Sequence, residues 1–319
     1  MLQLVHNENV KIYRRLRTWI FGALLLLAVI AMAVLTNKAS HSQATHTSDW
    51  RQELRQENQQ LQQTMNRSGD KIPASAKTQL QTQINENQYR LDHNIPPAEN
   101  SAWDFANNAA SLMVLVTLFA AVVAADSIAS EFSSGAIKLL LIRPVRRSKI
   151  LMAKYAASLL FALALIVELA IAAWLVGGIA FGFDGFATPY LYADTASHIH
   201  QMPMFAHVLA TYGLKCVNLL MIVTISFMIS VLLRSSSLAI AVSLLLLFVG
   251  STLVRVLSDH TWVKFILFAN TDLTQYIEGT PVVKGMTLTF SIIVLAVYFI
   301  IFHVVSWVMF TRRDVSGNG

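Results

Sequence analysis

Long apolar runs alternate with polar segments along the chain, and six runs are long enough to cross a membrane. A transmembrane helix needs about 20 mostly apolar residues. The pattern predicts such helices at 19–36, 103–125, 155–183, 212–233, 238–254 and 286–311. The first run follows basic residues, as in a signal peptide, but it is longer than the usual apolar core of about 7 to 15 residues. We therefore expect an uncleaved anchor and an all-α integral membrane protein with six transmembrane helices.

The polar segment 37–102 has a helical periodicity of its own. Apolar residues recur four or seven positions apart in two stretches, which the helix breakers Gly69 and Pro73 separate. This pattern is typical of two helices joined by a turn. We expect an extracellular α-helical hairpin, which either binds a partner or serves only as a spacer.

Two further segments are expected on the outer side. Segment 184–211 contains an extracellular loop that is rich in histidine. Segment 255–285 is too polar to span a membrane and too apolar to be a free loop. A re-entrant or surface-lying segment fits that composition.

The composition and the distribution of charge fix the class and the orientation. The chain is 55% hydrophobic and 13% charged, whereas soluble domains carry about 25% charged residues. Segment 126–154 holds six Lys or Arg residues against two acids, which is typical of cytoplasmic loops. Six spans then place the basic segment 1–18 and the tail 312–319 in the cytoplasm as well. The enrichment of bases on the cytoplasmic side accounts for this clustering, so the net charge of +6 needs no nucleic-acid partner to explain it.

The same central segment carries a recognisable motif. Its residues are Glu131, Gly135, Lys138, Leu141, Pro144, Arg147 and Lys154. Their spacing resembles the first cytoplasmic loop of the ABC-2 type permeases, the Gram-positive type in particular. The usual Gly-Thr is Gly135-Ala136 here, and the usual Pro-Val-Ser-Arg is Pro144-Val145-Arg146-Arg147. An aromatic residue followed by Arg-Arg-Asp at 312–314, and a pattern within 262–276, are similar to the same family.

The resemblance implies the membrane subunit of a bacterial ABC exporter in the cell membrane. Two copies of a separate ATPase would bind ATP and Mg²⁺, and a second permease chain would complete the path. Segment 1–18 would be an amphipathic connecting helix, and 126–154 would be the cytoplasmic coupling loop. The expected contacts with the ATPase are Glu131, Gly135, Arg143, Pro144, Arg146 and Arg147. A drug, an antimicrobial peptide or a lipid-like molecule would be the cargo.

The sequence contains no motif that would give this chain its own catalytic or cofactor chemistry. It lacks G-x-x-x-x-G-K-[ST], H-E-x-x-H and G-x-S-x-G. His198, His200 and His207 have no acidic or cysteine ligand at a diagnostic spacing, and Cys216 is the single cysteine. We expect no enzyme activity, no cofactor and no metal site in this chain.

Two polar residues within the predicted spans leave alternatives open. Glu168 either lines a transport path or holds helices together by a hydrogen bond. His303 is expected to be a donor in helix packing. A carrier coupled to ions would rest on these two residues alone, and no inverted repeat supports it. A non-transporting scaffold or sensor that binds a partner through the hairpin is the other alternative.

Overall fold

The computed structural model describes residues 1–43, 50–68, 74–97, 101–135, 145–186, 188–193, 199–277, 281–283 and 285–312. Before the second span lie α1 (Leu2–Tyr13), α2 (Leu16–Gln43), α3 (Trp50–Ser68) and α4 (Ala74–His93). Next come α5 (Ala102–Ala109), which continues through a 3-10 turn into α6 (Met113–Ser133), and α7 (Arg147–Phe181). Strands β1 (Pro189–Ala193) and β2 (Ile199–Pro203) precede α8 (Met204–Leu232) and α9 (Ser236–Val256). The chain continues with α10 (Leu267–Asn270), which lies between two 3-10 turns, and α11 (Leu288–Arg312).

Within the described ranges, six helices are long and apolar enough to cross a membrane, and they coincide with the six predicted runs. The protein is thus an all-α membrane protein. Backbone N–H and C=O groups have no water to bond in a bilayer, so an apolar run of this length forms a helix. The one sheet among the described residues is the antiparallel ribbon of β1 and β2, with Leu191 opposite Gln201.

Several helices extend beyond the predicted spans, above all into the segment 126–154. Helix α6 continues to Ser133 and α7 begins at Arg147, so both ends of that segment are helical. The charged residues at these ends, Asp126 and Lys154, are buried and paired with oppositely charged side chains. Outside this segment, α2 extends to Gln43, and α8 begins eight residues before the predicted span at 212.

Helix α6 is the centre of the bundle and contacts α7, α8 and α9. Small side chains on α6 make this close packing possible; Ala120, Ala121, Ala124, Ala125 and Ala129 are all fully buried. The hydroxyl oxygen of Ser230 on α8 accepts hydrogen bonds of 3.0 Å from the backbone N–H groups of Ile128 and Ala129.

Helices α3 and α4 pack against each other in antiparallel orientation. The amide of Asn87 donates to Asn58 at 3.0 Å, and Arg51 donates to Asn94. Leu54 and Ile84 are buried in the seam between them. Helix α4 also touches the β ribbon, where Gln201 donates to the hydroxyl of Tyr89 at 3.1 Å. The pair of helices is therefore braced by its own chain.

The two ends of the bundle differ in composition. One end, which we call the charged end, is formed by α1, the last turns of α6 and the first turns of α7. The other end, which we call the ribbon end, carries α3, α4, the β ribbon and the segment 257–277.

Candidate functional site

Seven ionised side chains meet where α1 packs against α6 and α7, at the charged end. We call this group the charged cluster; its members are Glu8, Lys11, Arg15, Arg17, Asp126, Glu131 and Lys154. They line a small cavity that also reaches Ile12 and Ala157. The cluster joins the N-terminal segment to the two helices that flank the family-like motif.

Lys154 is the most deeply buried member of the cluster, with a side chain only 2% exposed. Its Nζ lies 2.6 Å from Oε1 of Glu131 and 2.7 Å from Oε2 of Glu8. It also donates to the backbone carbonyl oxygen of Ser127 at 3.3 Å. An ammonium group has three donors, so each has an acceptor here. A buried lysine without such partners would be strongly destabilising.

Glu8 connects this buried lysine with Lys11, which lies one turn further along α1. Lys11 Nζ is 2.5 Å from Glu8 Oε1 and 3.3 Å from Glu131 Oε1. Burial opposes ionisation of Glu8, but attraction from Lys154 and hydrogen bonds from both lysines outweigh it and lower the pKa of its carboxyl. Burial likewise opposes the charge on Lys11, yet its bonds with Glu8 and its attraction to both carboxylates raise its pKa.

Asp126 is the second centre of the cluster, and its side chain is 4% exposed. Arg15 and Arg17, on either side of the start of α2, both donate to Oδ2 of Asp126. The hydroxyl of Ser236, at the first residue of α9, donates to the other carboxylate oxygen. Asp126 therefore links the joint between α1 and α2 to α6 and α9.

Short local contacts fix the angle between α1 and α2. The hydroxyl of Thr18 donates to the carbonyl of Ile12 at 2.6 Å, and the indole N–H of Trp19 donates to the carbonyl of Tyr13 at 2.9 Å. The Tyr13 ring packs edge-on against Phe161 of α7 at a centroid distance of 6.2 Å. Helix α1 is thus held against α7 by apolar packing as well as by ion pairs.

The structure distributes the predicted coupling residues over different environments. Glu131 lies inside the charged cluster, so its bound carboxylate oxygen faces its own chain. Gly135 is exposed and has a left-handed φ of +72°, the conformation that commonly ends a helix at glycine. Arg146 is exposed, and Arg147 donates to the carbonyl of Thr311 at the end of α11.

Other residues of the motif cannot be placed in this way. Arg143 and Pro144, together with Lys138 and Leu141, lie outside the described residues. Their predicted contact with an ATPase stays a prediction.

Glu168 lies far from the charged cluster along α7, against α2. A Cβ at Gly22 would be 3.1 Å from Oε1 of Glu168, so glycine gives the carboxylate its space. Within the described part of the chain, no hydrogen bond of Glu168 is found that would support the helix-packing alternative. Whether Glu168 lines a transport path stays a prediction.

His303 lies on α11 and bonds to its own helix, with Nδ1 2.9 Å from the carbonyl oxygen of Phe299. Its ring packs edge-on against Tyr155 at 4.8 Å, beside an apolar cavity of about 280 Å³. Tyr155 lies 13 residues from Glu168, or about 20 Å along α7. The two residues on which an ion-coupled carrier would rest are therefore not brought together.

The histidines of the outer loop do not converge in the described residues. His200 stacks on Tyr192 and His207 stacks on Tyr190, with centroid distances of 5.5 and 3.6 Å. His198 lies outside the described residues. Over the ranges that the structure describes, no group of three His, Cys, Asp or Glu side chains is placed to hold a metal ion.

Sequence reasoning missed the partners within the charged cluster. Glu8 is the one acid before the first span, and Lys154 and Asp126 each lie within an apolar helical stretch. A charge in such a stretch needs a partner, so the positions of these three residues indicate that each forms an ion pair. The sequence gives no means of telling which residues pair.

Comparison with known proteins identifies relatives without a described activity. The sequence profile described as "Protein of unknown function (DUF2705)" matches residues 74–316. The chain is 40% identical over 321 residues to "Uncharacterized protein YhcI" of Bacillus subtilis, which covers 99% of this chain and 100% of the relative. It is 36% identical over 209 residues to "Uncharacterized membrane protein YdbK" of the same organism, covering 64% of this chain and 80% of the relative.

Proposed function

The chain belongs to the DUF2705 family of proteins of unknown function, and we propose that it is the membrane-spanning permease subunit of a bacterial ABC exporter. The motif from Glu131 to Lys154 supports this proposal, together with the six apolar helices. A relative that is named a membrane protein agrees with the location in a membrane. The energy would come from a separate ATPase, which binds ATP and Mg²⁺, because this chain carries no phosphate-binding loop of the P-loop type.

In this proposal the charged end faces the cytoplasm of a bacterial cell, and both termini lie there. Its Lys and Arg residues agree with the enrichment of bases on the cytoplasmic side. The ribbon end, with the α3–α4 hairpin, would be extracellular. The outer faces of α9 and α11 carry large exposed apolar side chains, such as Leu245 and Ile300. They would contact the lipid bilayer or a second permease chain.

The observation that carries the proposal is the junction at Lys154. One buried ammonium group binds Glu8 on α1 and Glu131 at the end of α6, while itself belonging to α7. A partner that pushes on the exposed residues Gly135 and Arg146, or on α1, would therefore move three helices together. ATP binding by the ATPase would favour one arrangement of these helices if the ATPase bound that arrangement more tightly.

Within this junction the residues divide into two roles. Exposed Gly135 and Arg146, with Arg143 and Pro144, would meet the ATPase. Glu131 and Lys154 would instead transmit the movement, because their bonded atoms are held within the chain. Arg147 would add a link to the end of α11.

The test is affinity purification of the tagged chain from its own cells after mild detergent extraction. We expect an ATPase subunit to co-purify at equal stoichiometry, with ATP hydrolysis in the eluate. Arg146→Glu should lower its yield at least fivefold. The control Arg55→Glu reverses an exposed arginine on α3, at the ribbon end, and should leave the yield unchanged. A clean chain with no nucleotide-hydrolysing partner would contradict the proposal.

A scaffold or sensor is the second candidate, and the bracing of α4 favours it. The bond from Gln201 to Tyr89 holds the hairpin on the β ribbon, so the hairpin can present a fixed, polar surface to a partner. If the hairpin only assists an exporter, removing residues 50–93 should abolish function, but an ATPase should still co-purify. Loss of a different, non-ATPase partner in this variant would favour the scaffold.

A further inference from the structure

A second cavity, of about 340 Å³, lies near the ribbon end between α6, α8, α9 and the segment that follows α9. Known ligand pockets begin at about 300 Å³, so this one could hold a small ligand or part of a larger one. Apolar and polar side chains each make up half of the residues that line it. The apolar lining includes Met113, Val114, Ile222, Leu247, Phe248 and Phe268.

Two basic side chains line this cavity. Lys215 is half-buried, about 16 Å along α8 from Met204, and Arg255 is exposed on the last turn of α9. Neither side chain has an ion-pair partner among the described residues. Lys215 lies three residues inside the predicted span 212–233, so its long side chain can place the ammonium near the head-group region of a bilayer.

The acid that lines the cavity does not neutralise these bases by direct pairing. Asp272 accepts hydrogen bonds at Oδ1 from the backbone N–H of Thr274 at 3.1 Å and from its hydroxyl at 2.6 Å. Asp272 therefore serves as the cap of the following 3-10 turn. The lining carries two positive charges and one negative charge, which favours an anionic ligand.

The wall formed by the segment after α9 is held by buried hydrogen bonds. Asn270, which is fully buried, donates to the carbonyls of Lys264 and Ile266 at 2.8 Å and accepts from Ser291 at 2.7 Å. Gln275 donates to the carbonyl of Asp272 at 2.7 Å and accepts from Val282 N at 2.9 Å. A cavity with such a wall is preformed, as most small-molecule sites are.

The cavity also reaches the outer, apolar surface of the bundle. Phe248 and Val114 line it, yet their side chains are 53% and 51% exposed. They stand on α9 and α6, so a ligand can enter between these helices from the side that faces lipid. An apolar lateral entrance suits an acyl chain, and two bases at one cavity suit an anionic head group.

We propose that this cavity binds an anionic amphiphile of the bilayer, with an acyl chain against Val114 and Phe248 and an acidic head group at Lys215 and Arg255. The phosphate of an acidic phospholipid supplies this chemistry. The site is independent of the exporter proposal, because binding requires neither an ATPase nor transport.

The test is native mass spectrometry of the purified full chain in detergent, titrated with phosphatidylglycerol or phosphatidylcholine of identical acyl chains. We expect phosphatidylglycerol to bind about tenfold more tightly. Lys215→Gln should remove most of this preference, whereas Lys215→Arg should keep it. Lys264→Gln is the matched control, because Lys264 is a base at the same end that packs over Phe265 instead of lining the cavity.

Further measurements distinguish a lipid from a free phosphate as the ligand, and additional variants keep the test valid if one variant misfolds. Glycerol phosphate, which has the head-group phosphate without acyl chains, should not displace the lipid at tenfold excess. Val114→Phe should weaken both lipids by filling the entrance, and Arg255→Gln should lower the preference if Lys215→Gln does not fold. Equal affinity for the two lipids, an unchanged preference in both base variants, or displacement by glycerol phosphate would each overturn the proposal.

Discussion

The buried ammonium of Lys154 lies 2.7 Å from the carboxylate of Glu8, although the two residues are 146 positions apart in the sequence. The same ammonium binds Glu131 at 2.6 Å. A short helix that precedes the first span is therefore fixed to the two helices that flank the motif. This junction makes α1 a structural part of the bundle.

Breaking the Glu8–Lys154 pair should release α1 and destabilise the protein. Removing one partner of a buried ion pair typically costs about 3 to 5 kcal/mol; we expect Glu8→Gln to lie near 3, because Glu8 is partly exposed. The double variant Glu8→Gln/Lys154→Met should lose less free energy of unfolding than the sum of the losses in the two single variants. A double-mutant cycle on detergent-solubilised protein measures this coupling. The control Lys149→Gln changes an exposed base on α7, the helix of Lys154, and should leave the stability unchanged. If the effects of Glu8→Gln and Lys154→Met simply added, the contact between the two residues would be contradicted.

Asp126 should be more sensitive to substitution than its serine partner. Asp126→Asn removes a buried anion that faces two arginines, and we expect a loss of about 3 kcal/mol. Ser236→Ala removes one hydrogen bond and should cost about 1 kcal/mol. Thermal unfolding compares both with Asp184→Asn, an exposed carboxylate. An effect of Ser236→Ala as large as that of Asp126→Asn would show that the arginines contribute little.

Gly135 should tolerate asparagine better than alanine. Its φ of +72° is left-handed, and no atom of the described residues lies within 4 Å of where a Cβ would be, so backbone strain is the main expected cost. Alanine costs about 1 kcal/mol or more in this conformation, whereas asparagine adopts it more readily. Hydrogen exchange of residues 128–135 should show fraying in Gly135→Ala and much less in Gly135→Asn. Equal fraying in both variants would contradict a role for the left-handed conformation.

The docking of α1 should persist over a wide pH range and fail in acid. The pKa of Glu8 is lowered below its ordinary 4.5, so its stabilising contribution is present above that value and is lost as pH falls through the lowered pKa. The pKa of Lys11 is raised above 10.5, so its contribution is complete below that value and is lost as pH rises through the raised pKa. We expect α1 to stay docked between the ordinary pKa of Glu8, 4.5, and that of Lys11, 10.5, and to loosen when the solution becomes acidic enough to protonate Glu8.

Spin labels at positions 7 and 149 measure this docking. Asn7 and Lys149 are exposed, and Cys216→Ser removes the native thiol. The distance between the labels should stay constant between pH 4.5 and pH 10.5 and broaden in more acidic solution. Glu8→Gln should broaden it already at neutral pH. A transition near pH 6 to 7 would point to a histidine instead.

The six spans were predictable because hydropathy alone decides which runs can be helices in lipid. The pairing at the ends of α6 and α7 was not, because Asp126 and Lys154 are buried against partners that are far away in the sequence. The ribbon of β1 and β2 was missed because a short, aromatic loop has no strong periodicity. The sequence singled out Glu131 as a residue of the motif, but its partners Lys11 and Lys154 required the tertiary structure.

The most direct test of the exporter proposal is site-specific photo-crosslinking in the native membrane. A photoreactive amino acid at Arg146, exposed at the charged end, should form an adduct with an ATPase subunit, and the yield should change when ATP is bound. The same amino acid at Arg255, at the ribbon end, should form none. Absence of an ATPase adduct at position 146, or equal adducts at both positions, would contradict the assignment of this protein as a permease that is driven from its charged end.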